Sequence, residues 1–153
     1  RNPVAPDTIG AEEVAEFIDS LESGGPPSAI RWLSDFLETT RVIYAIRIHP
    51  EAMARDPQSV DAVNAVRSAL HDAVGGIGQW DGHGFTNEED RLIWCDPRTT
   101  LSGTTRAAIL DESTGEWIPF DLNLDDPADV AAFLRGDIPG RRHQRSGSSS
   151  HSP

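Results

Sequence analysis

The stretch that most constrains the fold runs from Gly75 to Pro97 and reads GGIGQWDGHGFTNEEDRLIWCDP. It contains two of the four tryptophans and the only cysteine, Cys95. The Gly-Gly pair at its start ends a helical pattern, and Asp96-Pro97 interrupts the last apolar run. We therefore expect short strands over 77–80 and 91–95, joined by a loop over 81–90.

Two amphipathic segments near the N-terminus predict helices. Apolar residues recur at helical spacing from Val14 to Leu21, so the first helix is expected to run from about residue 8 to 23, with Asp7 or Thr8 as its cap. The segment GGPP, residues 24–27, ends this helix. A shorter helix is expected over 28–37, with Ser28 as its cap.

Further along the chain, residues 59–74 show the clearest helical pattern, and a last helix is expected to begin at Asp125 or Asp126 and to end at Gly136. The helix over 59–74 carries an apolar stripe formed by Val63, Val66, Leu70 and Val74. Such a stripe is typical of a helix that packs against a sheet.

Three further segments have the composition of strands. Residues 41–49 are apolar on both faces, which predicts a central strand covered on both sides. Residues 104–110 and 116–122 predict a hairpin across a turn at 111–115. Because Pro119 has no backbone donor, its strand is expected at the edge of the sheet.

These elements indicate an α+β fold with a mainly antiparallel sheet of about four or five strands and helices packed on it. Two helices precede the sheet, and the strand over 41–49, the helix over 59–74 and the strands that follow fit a ferredoxin-like half. The expected domain covers 1–140. The polar, Ser-rich residues 141–153 are expected to form a disordered tail.

The charge is strongly negative and unevenly distributed. The formal net charge is −12, and residues 1–140 carry 25 acids against 10 Arg, a balance of −15. Such a surface repels nucleic acid and anionic lipid, and it attracts basic proteins. We therefore expect a basic protein partner, and neither nucleic acid nor a membrane. The chain contains no Lys, which excludes lysine Schiff-base chemistry.

Four residues are candidates for contacting such a partner. Glu12, Glu13 and Glu16 lie on the polar side of the first predicted helix, and no Arg occurs between Arg1 and Arg31 to neutralise them. Strand alternation places Trp117 on the face opposite Ile118, on the predicted edge strand. An exposed Trp at a sheet edge can anchor a partner, whereas a covering helix would make it part of the core.

The loop Asp81-Gly82-His83-Gly84 offers an alternative. In an extended segment Asp81 and His83 point to the same side, and Glu88, Glu89 or Asp90 at the far end of the loop could fold back toward His83 as a third ligand or base. This arrangement could support a metal-dependent hydrolase. The spacing matches neither a zinc site nor an EF-hand, however, so we predict neither a metal nor another cofactor. A loop that only shapes the backbone is the simpler interpretation.

Cys95 lies in an apolar strand, where burial is expected to raise its pKa and make it unreactive. A lone Cys fits a reducing compartment, and no apolar run reaches the length of about 20 residues that spans a bilayer. We therefore expect a soluble, cytoplasmic protein. The sequence favours a non-enzymatic interaction module, similar to an inhibitor, an immunity protein or a polyanion mimic, over the hydrolase.

Overall fold

The computed structural model describes residues 1–46 and 58–140 of the chain. The described part is α+β and contains four helices and seven strands. The helices are α1 (Ile9–Ser20), α2 (Pro27–Thr39), α3 (Gln58–Val74) and α4 (Pro127–Arg135). The strands are β1 (Asn2–Pro3), β2 (Val42–Ile43), β3 (Gly78–Trp80), β4 (Gly84–Thr86), β5 (Leu92–Cys95), β6 (Thr104–Asp111) and β7 (Glu116–Asn123).

The main sheet has five strands in the order β3-β4-β5-β6-β7. Three of its pairings are antiparallel, but β5 pairs with β6 in parallel, with Leu92 beside Ala107. The prediction of a mainly antiparallel sheet is therefore corrected to a mixed sheet. The reason is that β5 is only four residues, about 13 Å, long. The connection over 96–103 is long enough to return along a strand of that length.

The strand predicted over 41–49 does not belong to the main sheet. β2 pairs with β1 in a separate two-stranded ribbon, and Tyr44 and Ile46 beyond it are each 42% exposed. The prediction of a central strand over 41–49 is wrong for residues 41–46, and 47–49 lie outside the described residues. Apolar residues on both faces fit a central strand, but they fit a short ribbon beside the sheet equally well. The ferredoxin-like arrangement fails with this strand, because it lies outside the main sheet.

Both faces of the main sheet carry a core. Helices α1 and α2 cover one face, which we call the helix-pair face. Its buried residues are Val14, Leu21, Ala29, Leu33, Leu37, Phe85, Ile93, Trp94 and Ala108. Helix α4 packs on part of the opposite face, where Leu92, Ala107, Ile109, Leu122 and Phe133 are buried. Successive side chains of β6 therefore enter two separate clusters, Ala108 the first and Ala107 and Ile109 the second.

Local signals define most helix ends. Thr8 accepts a hydrogen bond from the backbone of Ala11 as the cap of α1, and Asp126 caps α4 in the same way. Gly136 ends α4 in the left-handed conformation, as predicted. The expected cap at Ser28 is wrong, because α2 already begins at Pro27 and Ser28 is buried. Proline favours the first helical position because its missing N–H needs no partner there.

Helix α3 differs from the others in its exposure. Val66 and Val74, two members of its predicted apolar stripe, are 50% and 54% exposed. Arg67 links this helix to the neighbouring strand and loop, because it binds Asp90 through two hydrogen bonds of 3.0 and 2.7 Å and lies 5.0 Å from the centre of the Trp80 ring. The predicted tail, 141–153, lies outside the described residues. Within those residues, every helix is too short or too polar to cross a membrane.

Candidate functional site

The Asp-Gly-His-Gly segment forms the tight turn between β3 and β4. The His83 backbone N–H donates to the carbonyl oxygen of Trp80 at 2.9 Å. Gly82 and Gly84 both have positive φ, at 70° and 147°. A Cβ on Gly84 would lie 2.1 Å from the carbonyl oxygen of Trp94, so close strand contact also requires glycine there.

A bulge beside this turn fixes Trp94. Phe85 pairs with Trp94, but the next residue, Thr86, pairs with Leu92, so Ile93 is an additional residue in β5. A bulge turns successive side chains toward the same side. Ile93 and Trp94 accordingly both enter the core of the helix-pair face. The turn therefore lies beside a buried, bulged strand, where the sequence alone predicted a regular one.

The three residues of the alternative site lie on two loops, Asp81 and His83 between β3 and β4 and Glu88 after β4. Because residues 81–83 form a turn, the extended geometry assumed for Asp81 and His83 is wrong. The exposed Asp81 carboxylate accepts a hydrogen bond of 3.4 Å from Gln79. Glu88 is exposed in the loop after β4. No group of three His, Cys, Asp or Glu residues suited to a metal occurs within 1–46 and 58–140. The hydrolase stays a prediction from the sequence.

A groove lies on the sheet face opposite the helix pair, beside the part that α4 covers. It has a volume of about 350 Å³ and crosses strands β3 to β6. Its lining includes Trp80, His83, Thr86, Leu92, Thr105 and Arg106. Arg106 also lines an adjoining depression of about 240 Å³ with Arg91 and Asp121. We call the larger space the sheet groove.

The segment after β5 holds a buried carboxylate and the single thiol. Asp96 accepts hydrogen bonds from the Arg98 backbone at 2.8 Å and from its guanidinium at 3.1 Å, and these bonds lower the pKa of Asp96. Burial and the neighbouring Asp96 charge raise the pKa of Cys95. The direction predicted from sequence is thus confirmed, and a raised pKa disfavours the nucleophilic thiolate.

The predicted acidic surface is larger than the helix that suggested it. On α1, Glu12 and Glu16 are exposed, while Glu13 is half-buried and accepts a 3.3 Å hydrogen bond from Asn2. Helix α2 packs beside α1 and exposes further acids. The exposed carboxylates on the two helices and directly after α1 are Glu12, Glu16, Asp19, Glu22, Asp35 and Glu38. We call these six the acidic helix surface.

Few cations balance the acidic helix surface. Helices α1 and α2, both fully described, contain one Arg between them, Arg31. Its guanidinium forms an ion pair of 2.5 Å with Glu112. None of the six carboxylates forms an ion pair with any residue in the two described ranges. The acids predicted from α1 alone therefore belong to a two-helix surface, because packing brings α2 alongside.

Trp117 lies on β7 at the edge of the sheet, as predicted, and on the helix-pair face. Its ring meets Trp32 of α2 edge to face, with the ring centres 5.2 Å apart, and Trp32 in turn stacks on Phe36. Trp117 is half-buried. Helix α2 thus covers part of a ring that strand alternation alone left open, and the rest remains accessible to solvent.

In comparisons with known proteins, no family model, no curated protein and no solved structure matches the chain. The sequence does not single out two residues of this region. Arg106 lies in an ordinary strand pattern. Asn87, whose side chain accepts hydrogen bonds from the backbones of Glu89 and Arg91, lies in a segment that the sequence predicts only as a loop. Its position between a strand and an acidic run was the available signal.

Proposed function

We propose that this protein is a non-enzymatic interaction module that binds a basic protein through the acidic helix surface. The observation that carries the proposal is that all six carboxylates of this surface are exposed and lack an ion pair within the described parts of the chain. An inhibitor, an immunity protein or a polyanion mimic would use such a surface to engage a cationic target.

The carboxylates of the acidic helix surface repel one another in the free protein. Glu12 and Glu16 stand one helical turn apart, and a like-charge pair at this spacing costs a few tenths of a kcal/mol. Asp35 and Glu38 add a second acidic row on α2. A cationic partner removes this repulsion, and its approach is accelerated by the negative potential of the surface.

Two aromatic residues lie where α2 packs on β7, the edge strand of the main sheet. Trp32 and Trp117 are both half-buried, so each has ring surface left for a partner while its orientation is already fixed. Rigid aromatic residues contribute strongly to interfaces because they lose little conformational freedom on binding. In this proposal the carboxylates attract the basic partner, and Trp32 and Trp117 give it a defined contact at the β7 edge.

The test compares two variants with the same change in net charge. The first replaces Glu12, Glu16, Asp19 and Asp35 by their amides. The control replaces four exposed acids outside the helix pair, Asp61, Asp72, Glu88 and Asp121, in the same way. Binding of a nona-arginine peptide is measured by isothermal titration calorimetry at low and at physiological salt.

We expect the first variant to bind about tenfold more weakly, equivalent to about 1.4 kcal/mol, and the control to change by less than about twofold. The difference should shrink at higher salt, since exposed charges are screened. Equal weakening of the two variants would show that only the total charge matters, and the proposed surface would then be wrong.

A further inference from the structure

The sheet groove arises from missing side chains on one face of the main sheet. Phe85 of β4 belongs to the helix-pair face, so its neighbours Gly84 and Thr86 point to the opposite face. The residues that pair with these two, Trp80 and Gly78 of β3, point the same way. Two of these four positions are glycines and have no side chain. A hollow of about 350 Å³ lies beside them, because α4 packs at the β7 side of this face.

The side chains that β5 and β6 contribute to the groove lie on the same face. Leu92 is buried in the cluster under α4 and pairs with Ala107 of that cluster. Thr105, two residues before Ala107, therefore also points to this face. The turn before β4 and the connection after β5 add His83 and Leu101. Apolar and polar side chains from four neighbouring strands and their connections thus share one groove.

The charges at the groove favour an uncharged ligand. Asp90 is the carboxylate of its lining, and both of its oxygens accept hydrogen bonds from Arg67. Arg106 also lines the groove, but strand alternation directs its side chain to the helix-pair face, with Ala108. The chain as a whole has a net charge of −12, which opposes the entry of an anion. With Asp90 already paired, a cation finds no free carboxylate in the lining.

Three polar side chains in the groove have unused hydrogen-bonding capacity. Thr86, Thr105 and His83 are half-buried, and none of these side chains forms a hydrogen bond with the described residues, 1–46 and 58–140. A threonine hydroxyl both donates and accepts, and so does a neutral imidazole through its two nitrogens. A ligand that displaces water from these groups must replace the lost hydrogen bonds. It therefore needs donors and acceptors of its own.

The apolar part of the groove suits a flat molecule. Trp80, Leu92 and Leu101 supply it. Arg67 lies 5.0 Å from the centre of the Trp80 ring and is bound to Asp90, so the indole is held in place. A fixed aromatic ring favours stacking or edge contact with another ring. The volume of about 350 Å³ falls in the range of about 300–1,000 Å³ that is usual for ligand sites.

We propose that the sheet groove binds an uncharged planar heterocycle that carries hydrogen-bond donors and acceptors on its edge. The ring lies against Trp80 and Leu92, and its edge binds the hydroxyl groups of Thr86 and Thr105. No covalent step is involved. Because the groove and the helix pair are on opposite faces of the sheet, binding here leaves the acidic helix surface free.

The experiment uses the full chain labelled with ¹⁵N and follows amide shifts during titration. The probes are adenosine, uridine and nicotinamide, which are uncharged planar heterocycles. Each has a matched anion: adenosine monophosphate, uridine monophosphate and nicotinate. Ribose serves as an uncharged molecule without the ring. We expect saturable shifts at Trp80, Thr86, Leu92 and Thr105 with at least one probe and none with ribose.

The matched anion should bind at least a few-fold more weakly than its uncharged probe at low salt, because the protein repels it. This difference should shrink as the salt concentration rises. Absence of shifts with all three probes at millimolar concentration would overturn the proposal. Equal or tighter binding of the anions at low salt would overturn it as well, since the groove would then select for charge.

Neighbouring threonines of β6 provide matched variants. Thr105→Val keeps the shape of the side chain but removes the hydroxyl group, and it should weaken binding about fivefold. Thr104→Val makes the same change one residue earlier, where the side chain points to the other face, and should leave binding unchanged.

Thr86→Val should weaken binding to the same degree as Thr105→Val, and it supplies the comparison on β4 if the β6 variant fails to fold. Valine is favoured in strands, so we expect folded proteins, to be verified from the amide spectra. Equal effects of Thr104→Val and of the two groove variants would contradict the assigned contacts and overturn the proposal.

Discussion

The indole Nε1 of Trp94 donates a hydrogen bond of 3.4 Å to the carbonyl oxygen of Leu21, which joins β5 to the end of α1. Leu21 is the C-cap residue of α1, so its carbonyl oxygen has no hydrogen-bond partner within the helix. The loop that follows lies directly on the indole, where a Cβ on Gly25 would come within 2.7 Å of Trp94 Cδ1. Trp94 thus connects the helix pair to the strand that supports the His83 turn.

Replacement of Trp94 tests the importance of this connection. Trp94→Ala should lower the free energy of unfolding by about 3–5 kcal/mol, because it removes a large side chain that is 3% exposed. Trp94→Phe keeps part of the ring and loses the hydrogen bond to Leu21, so a smaller loss is expected. Urea denaturation followed by circular dichroism measures both. A loss below about 1 kcal/mol for Trp94→Ala would contradict the assigned role.

The two glycines of the turn allow a matched comparison. Both have positive φ, but a Cβ on Gly82 meets nothing within 4 Å, whereas one on Gly84 meets the Trp94 backbone. Gly82→Ala should therefore lower the free energy of unfolding by about 1–2 kcal/mol, the cost of holding a residue with a Cβ at positive φ. Gly84→Ala adds displacement of a neighbouring strand and should cost about 1–3 kcal/mol more. Equal melting temperatures for the two variants would show that the strand contact is unimportant.

The aromatic pair at the sheet edge can be measured by a double-mutant cycle. Trp32 and Trp117 meet edge to face, a geometry that contributes about 0.5–1.5 kcal/mol beyond the area buried. The variants Trp32→Leu, Trp117→Leu and the double replacement should therefore give a coupling energy in that range from denaturant unfolding. A coupling energy near zero would mean that Trp117 is free of α2 and more exposed to a partner than the structure indicates.

The sequence predicted the elements of this fold better than their arrangement. Helix caps at Thr8 and Asp126, the glycine end of α4 and the edge position of Pro119 depend on a few neighbouring residues, and all are confirmed. The position of residues 41–46 depends on distant partners. The same apolar pattern fits a central strand or a short ribbon, so periodicity could not choose between them.

The candidate surfaces show the same limit. Exposure of Glu12 and Glu16 was predictable from the helical pattern of α1, but the addition of Asp35 and Glu38 required knowing that α2 lies alongside. The sheet groove depends on which part of a sheet face α4 leaves open. The bulge at Ile93 arises from the register between β4 and β5, and no residue type in β5 predicts it.

The thiol of Cys95 gives a pH-dependent prediction. Because burial and the charge of Asp96 raise its pKa, the folded protein holds the proton more tightly than the unfolded chain. The thiol therefore favours the folded state below the pKa of a free cysteine, and this contribution is lost as the pH rises through the raised pKa of the folded state. Alkylation by iodoacetamide, followed by mass spectrometry from pH 7 upward, should reach half its maximal rate at a higher pH than in the urea-unfolded chain.

Asp96→Asn is the matched variant for this measurement. It removes the carboxylate charge beside the thiol while an amide oxygen can still accept from the Arg98 backbone. The pH of half-maximal alkylation should fall toward that of the unfolded chain but stay above it, because desolvation is the larger cause of the raised pKa. A profile for the unaltered protein that coincides with the unfolded one would show that Cys95 is open to solvent. It would also contradict the packing of this end of β5 against the core that contains Leu92.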